Sequence, residues 1–397
     1  MYQVKDLTTL TVTDLWKEVK GEEEWWGEIN ERVQVMVKLI LERSLEEELL
    51  EQLQASRYMR TEVRRGYRNG YYERSLFSQY GLIKALRIPR ARVGYSSQIL
   101  PNYQRRQVEI NRMIREMFLA GVSTRRVGEV LSQIWGQSVS AQTVSNICQS
   151  LDREVKIYQS RKLLDHYQYL LFDGIVLKVK GAVKAHKKPV LVAYGITASG
   201  QKELIEFRQS TSESESQWEA FLRNLYQRGL EGKQCKLISI DGCAGLHASL
   251  GTVYPYIPLQ RCWAHKLRNV ANHIRRRDQK ACMQQARGIY LAKHRRAAGS
   301  AYKDWEKAWI AQYPEAVNCM ARDLDELLNF LDCPESHRVK IRTTNAIERA
   351  FREVRRRTRT MSCFTNAKSV DRIIYGVFNH LNQSWKGKPL PYFTQTS

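Results

Sequence analysis

The chain has 397 residues and carries 64 Lys+Arg against 41 Asp+Glu, a formal net charge of +23, with 43% hydrophobic and 10% aromatic residues; this is a folded, strongly basic protein, and roughly 100–200 residues per domain leave room for two to four units. No apolar run nears the ~18–20 residues of a membrane span, residues 1–10 show no signal-peptide pattern, and eight Cys are too sparse for a disulfide scaffold. A cytoplasmic, nucleoid-associated protein with reduced thiols, no membrane partner and a polyanion as its partner, nucleic acid first, is therefore expected.

The charge is unevenly spread. Residues 1–56 are acidic, at a net −7. Between Trp25 and Leu53, Ile29, Val33, Met36, Leu39, Ile40 and Leu49 recur at helical spacing among Glu residues, which predicts amphipathic helices, read as a solvated pair or an interaction arm. Residues 57–106 reverse to +10, and β-like runs around Gly81 in 75–92 predict a small hairpin. Arg64, Arg65, Arg68, Arg87, Arg90 and Arg92 cluster on and beside it, interleaved with Tyr67, Tyr71 and Tyr72. Cations give affinity for phosphates and ring faces pack on sugars, so Arg64, Arg65, Arg68, Arg90 and Arg92 are candidate DNA contacts; a solvated basic face is the alternative.

Residues 107–160, at +1, read as a helix-turn-helix. Val127, Val130, Leu131 and Ile134 form an apolar stripe, Gly136 allows the break, and Ser140 can cap a second helix on which Val144, Ile147 and Leu151 face inward. Gln142, Thr143 and Asn146, with Ser145 and Gln149, then face outward and are candidates for base edges or phosphates. Any three-helix bundle could show the same pattern.

From Tyr167 onward the pattern is that of strands. Tyr169–Val179 is an apolar run interrupted by Asp173, a carboxylate costly to bury without a partner or metal. Further β-like runs at Pro189–Thr197 and Glu203–Arg208 precede a helix with Trp218, Phe221, Leu222 and Leu225 on one face. Lys236–Asp241 is a short strand delivering Asp241 before Gly242. The order β-β-β-α-β predicts an α/β sheet that brings its acids together, although either Asp alone could be a turn or cap residue. A third acid, Glu348, opens a helix bearing Arg352, Arg355, Arg356 and Arg359, candidate contacts for a phosphodiester backbone; Asn345 and Glu348 could equally form a capping box.

Asp173, Asp241 and Glu348 are the set that two Mg²⁺ or Mn²⁺ ions need for in-line displacement at phosphorus. Cys262 and His265 form a lone Cys-x-x-His pair, which does not complete a tetrahedral zinc site; a buried Cys bonded to a His near the acids is expected instead. The 107 positions between Asp241 and Glu348 exceed an ordinary connection, and their helical spacing predicts an all-α insertion at about 270–340, with Trp305 and Trp309 in its core.

The ordered series Arg64-Arg-Gly-Tyr-Arg-Asn-Gly-Tyr, Leu86-Arg-Ile-Pro-Arg, Gly121-Val-Ser-Thr-Arg, Val139-Ser-Ala-Gln-Thr-Val-Ser, Phe172-Asp-Gly, Asp241-Gly, Gln260-Arg-Cys-Trp-Ala-His-Lys-Leu-Arg-Asn and Thr343-Thr-Asn-Ala-Ile-Glu resembles the Mutator-type transposases of bacterial insertion sequences. The resemblance covers about residues 60–380. It implies an α/β ribonuclease-H-like catalytic domain at 161–397 with a helical insertion, preceded by the acidic helical region 1–56, the hairpin region 57–106 and the helix-turn-helix 107–160. It also implies an Asp-Asp-Glu triad at Asp173, Asp241 and Glu348, with Cys262, His265 and Asn345 in support. The partners implied are double-stranded DNA, both element ends and target, and a second copy of the chain as a homodimer. Ala185-His-Lys-Lys-Pro is more basic than the family pattern, and residues 1–56 match little of it. The expected activity is terminal-repeat binding, metal-dependent strand cleavage and 3′-hydroxyl strand transfer. A non-catalytic helix-turn-helix regulator, which leaves the three acids without a role, and a ribonuclease-H-like nuclease without strand transfer are the rivals.

Overall fold

The computed structural model describes residues 25–92, 94–180, 184–359, 364, 366–391 and 393. Residues 1–24 of the acidic region, and Cys363, lie outside them. The chain divides into two units, Met1–Phe118 with Val122–Ile147, and Leu119–Gly121 with Cys148–Ser397.

In the first unit the expected helix pair is one helix, α1 (Trp25–Leu53), beside an antiparallel hairpin of β1 (Arg68–Ser78) and β2 (Gly81–Ala91). The hairpin begins seven residues before the apolar pattern suggested, because the polar Arg68–Arg74 stretch pairs with the apolar strand opposite. Gly81, at φ +106°, follows the two-residue connection, a conformation a side chain would strain. Leu45 of α1 shares a core with Leu76, Ile83, Leu86, Ile88 and Leu100. The acids of α1 are not merely solvated. Glu46 pairs with Arg68, Glu42 accepts from the Arg87 amide at 2.9 Å, and Glu48 accepts from Ser97 Oγ and the Gln98 amide, both at 2.5 Å. The acidic helix thus neutralises part of the basic hairpin region and fixes its place.

Three helices follow: α2 (Val108–Leu119), α3 (Thr124–Trp135) and α4 (Ala141–Gln149). Ser123 caps α3 by accepting from the Arg126 amide at 3.2 Å, and Gly136 ends it in the left-handed region at φ 67°. Ser140 Oγ accepts from the Thr143 amide at 3.2 Å and starts α4. The inward face of α3 is Val127, Gly128 and Leu131, whereas Ile134 is 60% exposed, contrary to the expected stripe. Gly128 explains the shift: a Cβ there would stand 2.3 Å from the Val139 carbonyl oxygen, so the segment leading into α4 packs directly on the α3 backbone and turns the helix about that contact.

The second unit begins with α5 (Leu151–Ser160) and is built on a five-stranded sheet of β3 (Tyr167–Lys180), β4 (Ala185–Thr197), β5 (Lys202–Gln209), β6 (Leu237–Ile240) and β7 (Leu259–Arg261). Its order is β5-β4-β3-β6-β7, antiparallel through β5, β4 and β3 and parallel from β3 through β6 to β7. Each parallel step needs a crossover, supplied by α6 (Glu215–Gln227) and α7 (Ala244–Val253). These helices cover one face, packing Trp218, Phe221, Leu222, Leu225, Leu246 and Leu250 on Leu170, Phe172, Leu191, Ile238 and Ile240.

After β7 the chain is helical: α8 (Trp263–Asn272), α9 (Arg276–Tyr290), α10 (Arg295–Trp309), α11 (Pro314–Arg322), α12 (Leu324–Leu328) and, after a 3-10 turn at Asn329–Asp332, α13 (Glu335–Ile341). Trp305 is fully buried there and donates to the Cys282 carbonyl at 3.2 Å, whereas Trp309 is half-buried. The last helices, α14 (Asn345–Thr358) and α15 (Ala367–Trp385), return to the other face of the sheet. There Phe378 meets Phe207 with centroids 5.6 Å apart, and Arg372 grips Asp152 of α5 through two bonds of 2.6 and 2.8 Å. With both faces covered, β3 is buried and apolar from Tyr169 to Phe172, which accounts for the hydrophobic run before Asp173. No helix of the described residues is long and apolar enough to cross a membrane, and the seven described Cys are free thiols.

The close approach at Gly128 is testable. Gly128→Ala is expected to lower the stability of the first unit by about 1–3 kcal/mol, because backbone must move to admit one methyl. A urea titration read by far-UV circular dichroism would show this as an earlier midpoint for part of the signal.

Candidate active site

Phe172 of β3 pairs in parallel with Ile240, the last residue of β6. One step on stand Asp173 and Asp241, so the parallel register sets two carboxylates side by side. Side chains alternate along a strand, and Phe172 points into the core under α6 and α7; Asp173 therefore faces the α14 side. It is 5% exposed, and its Oδ1 accepts from the Gly174 amide at 2.8 Å. Burial first, then repulsion from Asp241, push its carboxyl well above the ordinary range; Glu348 adds to the rise and His265 opposes it. Asp241 Oδ1 accepts from the Cys243 amide at 3.0 Å, which ties it to the start of α7.

Glu348 stands in the first turn of α14. His265 of α8 connects it to the rest: His265 Nε2 lies 3.4 Å from Glu348 Oε1. Cys262, which precedes α8, is buried, and its amide donates to the Ile240 carbonyl at 2.8 Å, so the Cys-x-x-His turn starts beside the strand that delivers Asp241. The His265 ring is raised above its usual value mainly by the Cys262 sulfur, with Asp173 and Asp241 contributing. The contact falls short of good hydrogen-bond geometry, since Nδ1 is buried without a well-placed partner. Burial works to raise the Cys262 thiol, but His265 and Thr344 outweigh it and hold the thiol below its ordinary value.

Asn345 does not cap α14. Thr344 occupies that position without a side-chain cap bond, and Asn345 is exposed, so the capping box envisaged for Asn345 and Glu348 is not formed. The chain turns into the helix differently: the Thr344 amide and hydroxyl both donate to Cys262 Sγ, at 3.3 and 3.5 Å. Thr344 is fully buried and is one of two site residues that the sequence pattern does not single out; its neighbour Asn345 is the more familiar cap. The second is Glu213, a half-buried acid in the loop between β5 and α6, whose carboxyl is raised by burial and by Asp241. Its Ser-Thr-Ser-Glu-Ser-Glu-Ser surroundings carry no periodicity that would mark it.

A cavity of about 320 Å³ adjoins Asp241, lined also by Arg261, Cys262, His265, Asn269, Arg322 and others. Its cations are partly committed: Arg261 Nε holds Glu326 at 2.7 Å, and Lys266 pairs with Asp323. Arg352, Arg355 and Arg356 on α14 and Arg359 at its C-cap are exposed, Arg356 leaning on Glu353 at 3.0 Å.

In the first unit, Arg65, Arg90 and Arg92 are exposed, whereas Arg64 holds the Met59 and Gly66 carbonyls and Arg68 is taken by Glu46. Gln142 and Asn146 are exposed neighbours joined by a 2.8 Å bond, and Thr143 turns back to the Ser140 cap.

Among the described residues, no three His, Cys, Asp or Glu side chains are grouped to hold one metal ion. The chemistry of the acids still fits a hard divalent cation: they offer oxygen ligands, and the buried Asp173 carries repulsion from two other carboxylates that a cation would relieve.

A model of the family "Transposase, Mutator family" matches residues 11–388. The chain is 32% identical over 351 residues to the transposase of insertion sequence element ISRM5 from Rhizobium meliloti (strain 1021), covering 88% of this chain and 87% of that one. It is 32% identical over 350 residues to the transposase of IS256 in transposon Tn4001 from Staphylococcus aureus, covering 87% and 89%. It is 34% identical over 337 residues to the transposase of IS406 from Burkholderia multivorans (strain ATCC 17616 / 249), covering 84% and 86%. Among solved structures, the Drosophila P element transposase strand transfer complex aligns with a TM-score of 0.30 at 11% identity, over 69% of this chain and 78% of that one. Matched along almost all its length by that family model and by insertion-sequence relatives of equal extent, the chain belongs to the Mutator family of transposases.

Proposed function

We propose that this transposase binds the terminal inverted repeats of its element, cuts a strand at each end and joins the freed 3′-hydroxyl to target DNA, using Asp173, Asp241 and Glu348 in a ribonuclease-H-like domain. The observation that carries the reading is the parallel register of β3 and β6, which sets Asp173 beside Asp241, with His265 reaching from them to Glu348. A non-catalytic regulator has no use for a buried carboxylate set against its own kind.

Two Mg²⁺ or Mn²⁺ ions held by the three acids would activate the attacking oxygen and stabilise the leaving one. Asp173 and Asp241 offer their oxygens from the sheet, and Glu348 offers its own from the facing helix. His265 positions Glu348, and the Cys262 and Thr344 contacts hold the turn that carries His265. In cleavage a water oxygen attacks phosphorus, the bond from phosphorus to O3′ breaks, and a 3′-hydroxyl and a 5′-phosphate remain, the water's proton passing to solvent. In joining, the 3′-hydroxyl oxygen attacks a target phosphorus and the target's own bond to O3′ breaks. One phosphodiester replaces another, so no energy-rich cofactor is required.

Arg352, Arg355, Arg356 and Arg359 run along the helix that Glu348 opens, in position to hold the backbone of the cut strand. The exposed Arg65, Arg90 and Arg92 with Gln142 and Asn146 would read the ends. A homodimer acting on double-stranded DNA within the cell completes the reading, because an element has two ends to pair.

Incubation of the protein with labelled end DNA, a target plasmid and Mg²⁺ or Mn²⁺ is expected to yield nicked ends and joined products. Asp173→Ala, Asp241→Ala and Glu348→Ala should each lower both products by on the order of 10⁴-fold while end binding persists. Nicks without joins would favour the nuclease reading, and wild-type products from any of the three variants would remove that acid from the site. Replacing Arg352, Arg355 and Arg359 together with Ala should also flatten the fall of DNA affinity with salt. The slope of log K against log salt is expected to shrink by about 0.9 for each phosphate no longer neutralised, measured by fluorescence anisotropy.

A further inference from the structure

A fourth carboxylate reaches the same end of the sheet. Glu213 lies in the loop between β5 and α6, and its Oε1 stands 2.5 Å from where a Cβ on Gly174 would be, its Cδ 3.2 Å away. Gly174 is the residue after Asp173, so the carboxylate occupies space that a side chain at that position would take. Asp241 is near enough to repel it.

The loop is built to hold this place. Ser210 Oγ donates to the Ser212 carbonyl at 2.7 Å and to Gln217 Oε1 at 2.9 Å. The Cys243 thiol donates to the Glu213 carbonyl at 3.5 Å, and a Cβ on Gly245 would stand 2.7 Å from that oxygen. Glu213 is therefore clamped against the start of α7, immediately after the strand end that carries Asp241. Its carboxylate has no ion pair and no hydrogen bond among the described residues, although cations abound in this unit. An acid serving only the fold would ordinarily be matched with one of them, as Glu206 is with Arg228 at 2.5 Å.

We propose that Glu213 is a further carboxylate of the cation-binding site, contributing oxygen from the Gly174 side alongside Asp241. The inference rests on the reading of Asp173, Asp241 and Glu348 as the cation-binding set. Three acids on two strands and a helix would then be joined by one on a loop that its own hydrogen bonds hold in place.

Mn²⁺ titration of the full-length protein without DNA, followed by the electron paramagnetic resonance of free Mn²⁺, separates the two layers of the reading. Glu213→Gln, which keeps the shape and removes the charge, is expected to weaken Mn²⁺ binding about 10-fold or more, with Asp173→Asn as the reference for loss of the site. Gly174→Ala, which displaces the carboxylate and leaves its charge, should weaken binding in the same direction. Melting curves in chelator confirm folding, and Glu213→Asp, which withdraws the charge by one methylene, stands in if the Gln variant does not fold. Wild-type Mn²⁺ affinity in Glu213→Gln together with loss in Asp173→Asn overturns the inference and leaves the three-acid site standing. Unchanged affinity in Asp173→Asn overturns both.

Discussion

The second unit of the molecule is organised around a repulsion. The parallel pairing of β3 with β6 puts Asp173 next to Asp241, and the α14 helix brings Glu348 to the same end of the sheet, where His265 meets it. A buried carboxylate beside another costs several kcal/mol of effective penalty unless positive charge is near, of the order seen for buried ions in general. The fold tolerates that cost because the sheet is rigid: α6 and α7 pack one face with aromatic and aliphatic side chains, and α14 and α15 close the other. Rigid elements hold like charges together where a loop would let them part.

What surrounds the acids fixes their mutual placement. Cys262 is tied by its amide to the end of β6 and by its sulfur to Thr344, so one residue couples the strand carrying Asp241 to the start of the helix carrying Glu348. The helices between β7 and α14 are anchored at the same place: Trp263 donates to the Leu327 carbonyl at 2.7 Å, and Ser239 Oγ to the Ile341 carbonyl at 2.5 Å. A long helical excursion can thus leave the sheet and return Glu348 to it, because its two ends are bonded to neighbouring strands.

The first unit uses opposite charges in place of like ones. Glu42, Glu46 and Glu48 of α1 each bond to the hairpin or to the segment after it, so the acidic and basic segments complement each other. Arg65, Arg90 and Arg92 are among the exposed cations that no acid of α1 takes. Net charge by segment overstates the free positive surface, since it counts Arg68 equally whether or not a Glu lies beside it.

Much of this is legible in the linear text because it depends on local chemistry. The β-like apolar runs, the Gly136 break, the Ser140 cap and the strand-terminal position of Asp241 are all set by neighbours within a few residues, and so is the oddity of Asp173, an acid interrupting an apolar strand. The family, too, is carried by short motifs in order. Register, rotation of helices and long-range partners are decided only by packing. Ile134 leaves the α3 core because Gly128 admits the Val139 carbonyl, and Thr344 takes the cap position expected for Asn345 because Cys262 is there to receive its amide and hydroxyl. Glu213 joins the acids through the missing Cβ of Gly174, 39 positions away. A sequence specifies what each residue can do within its own turn or strand; which carboxylates must share a site is settled by backbone approach between segments far apart in the chain.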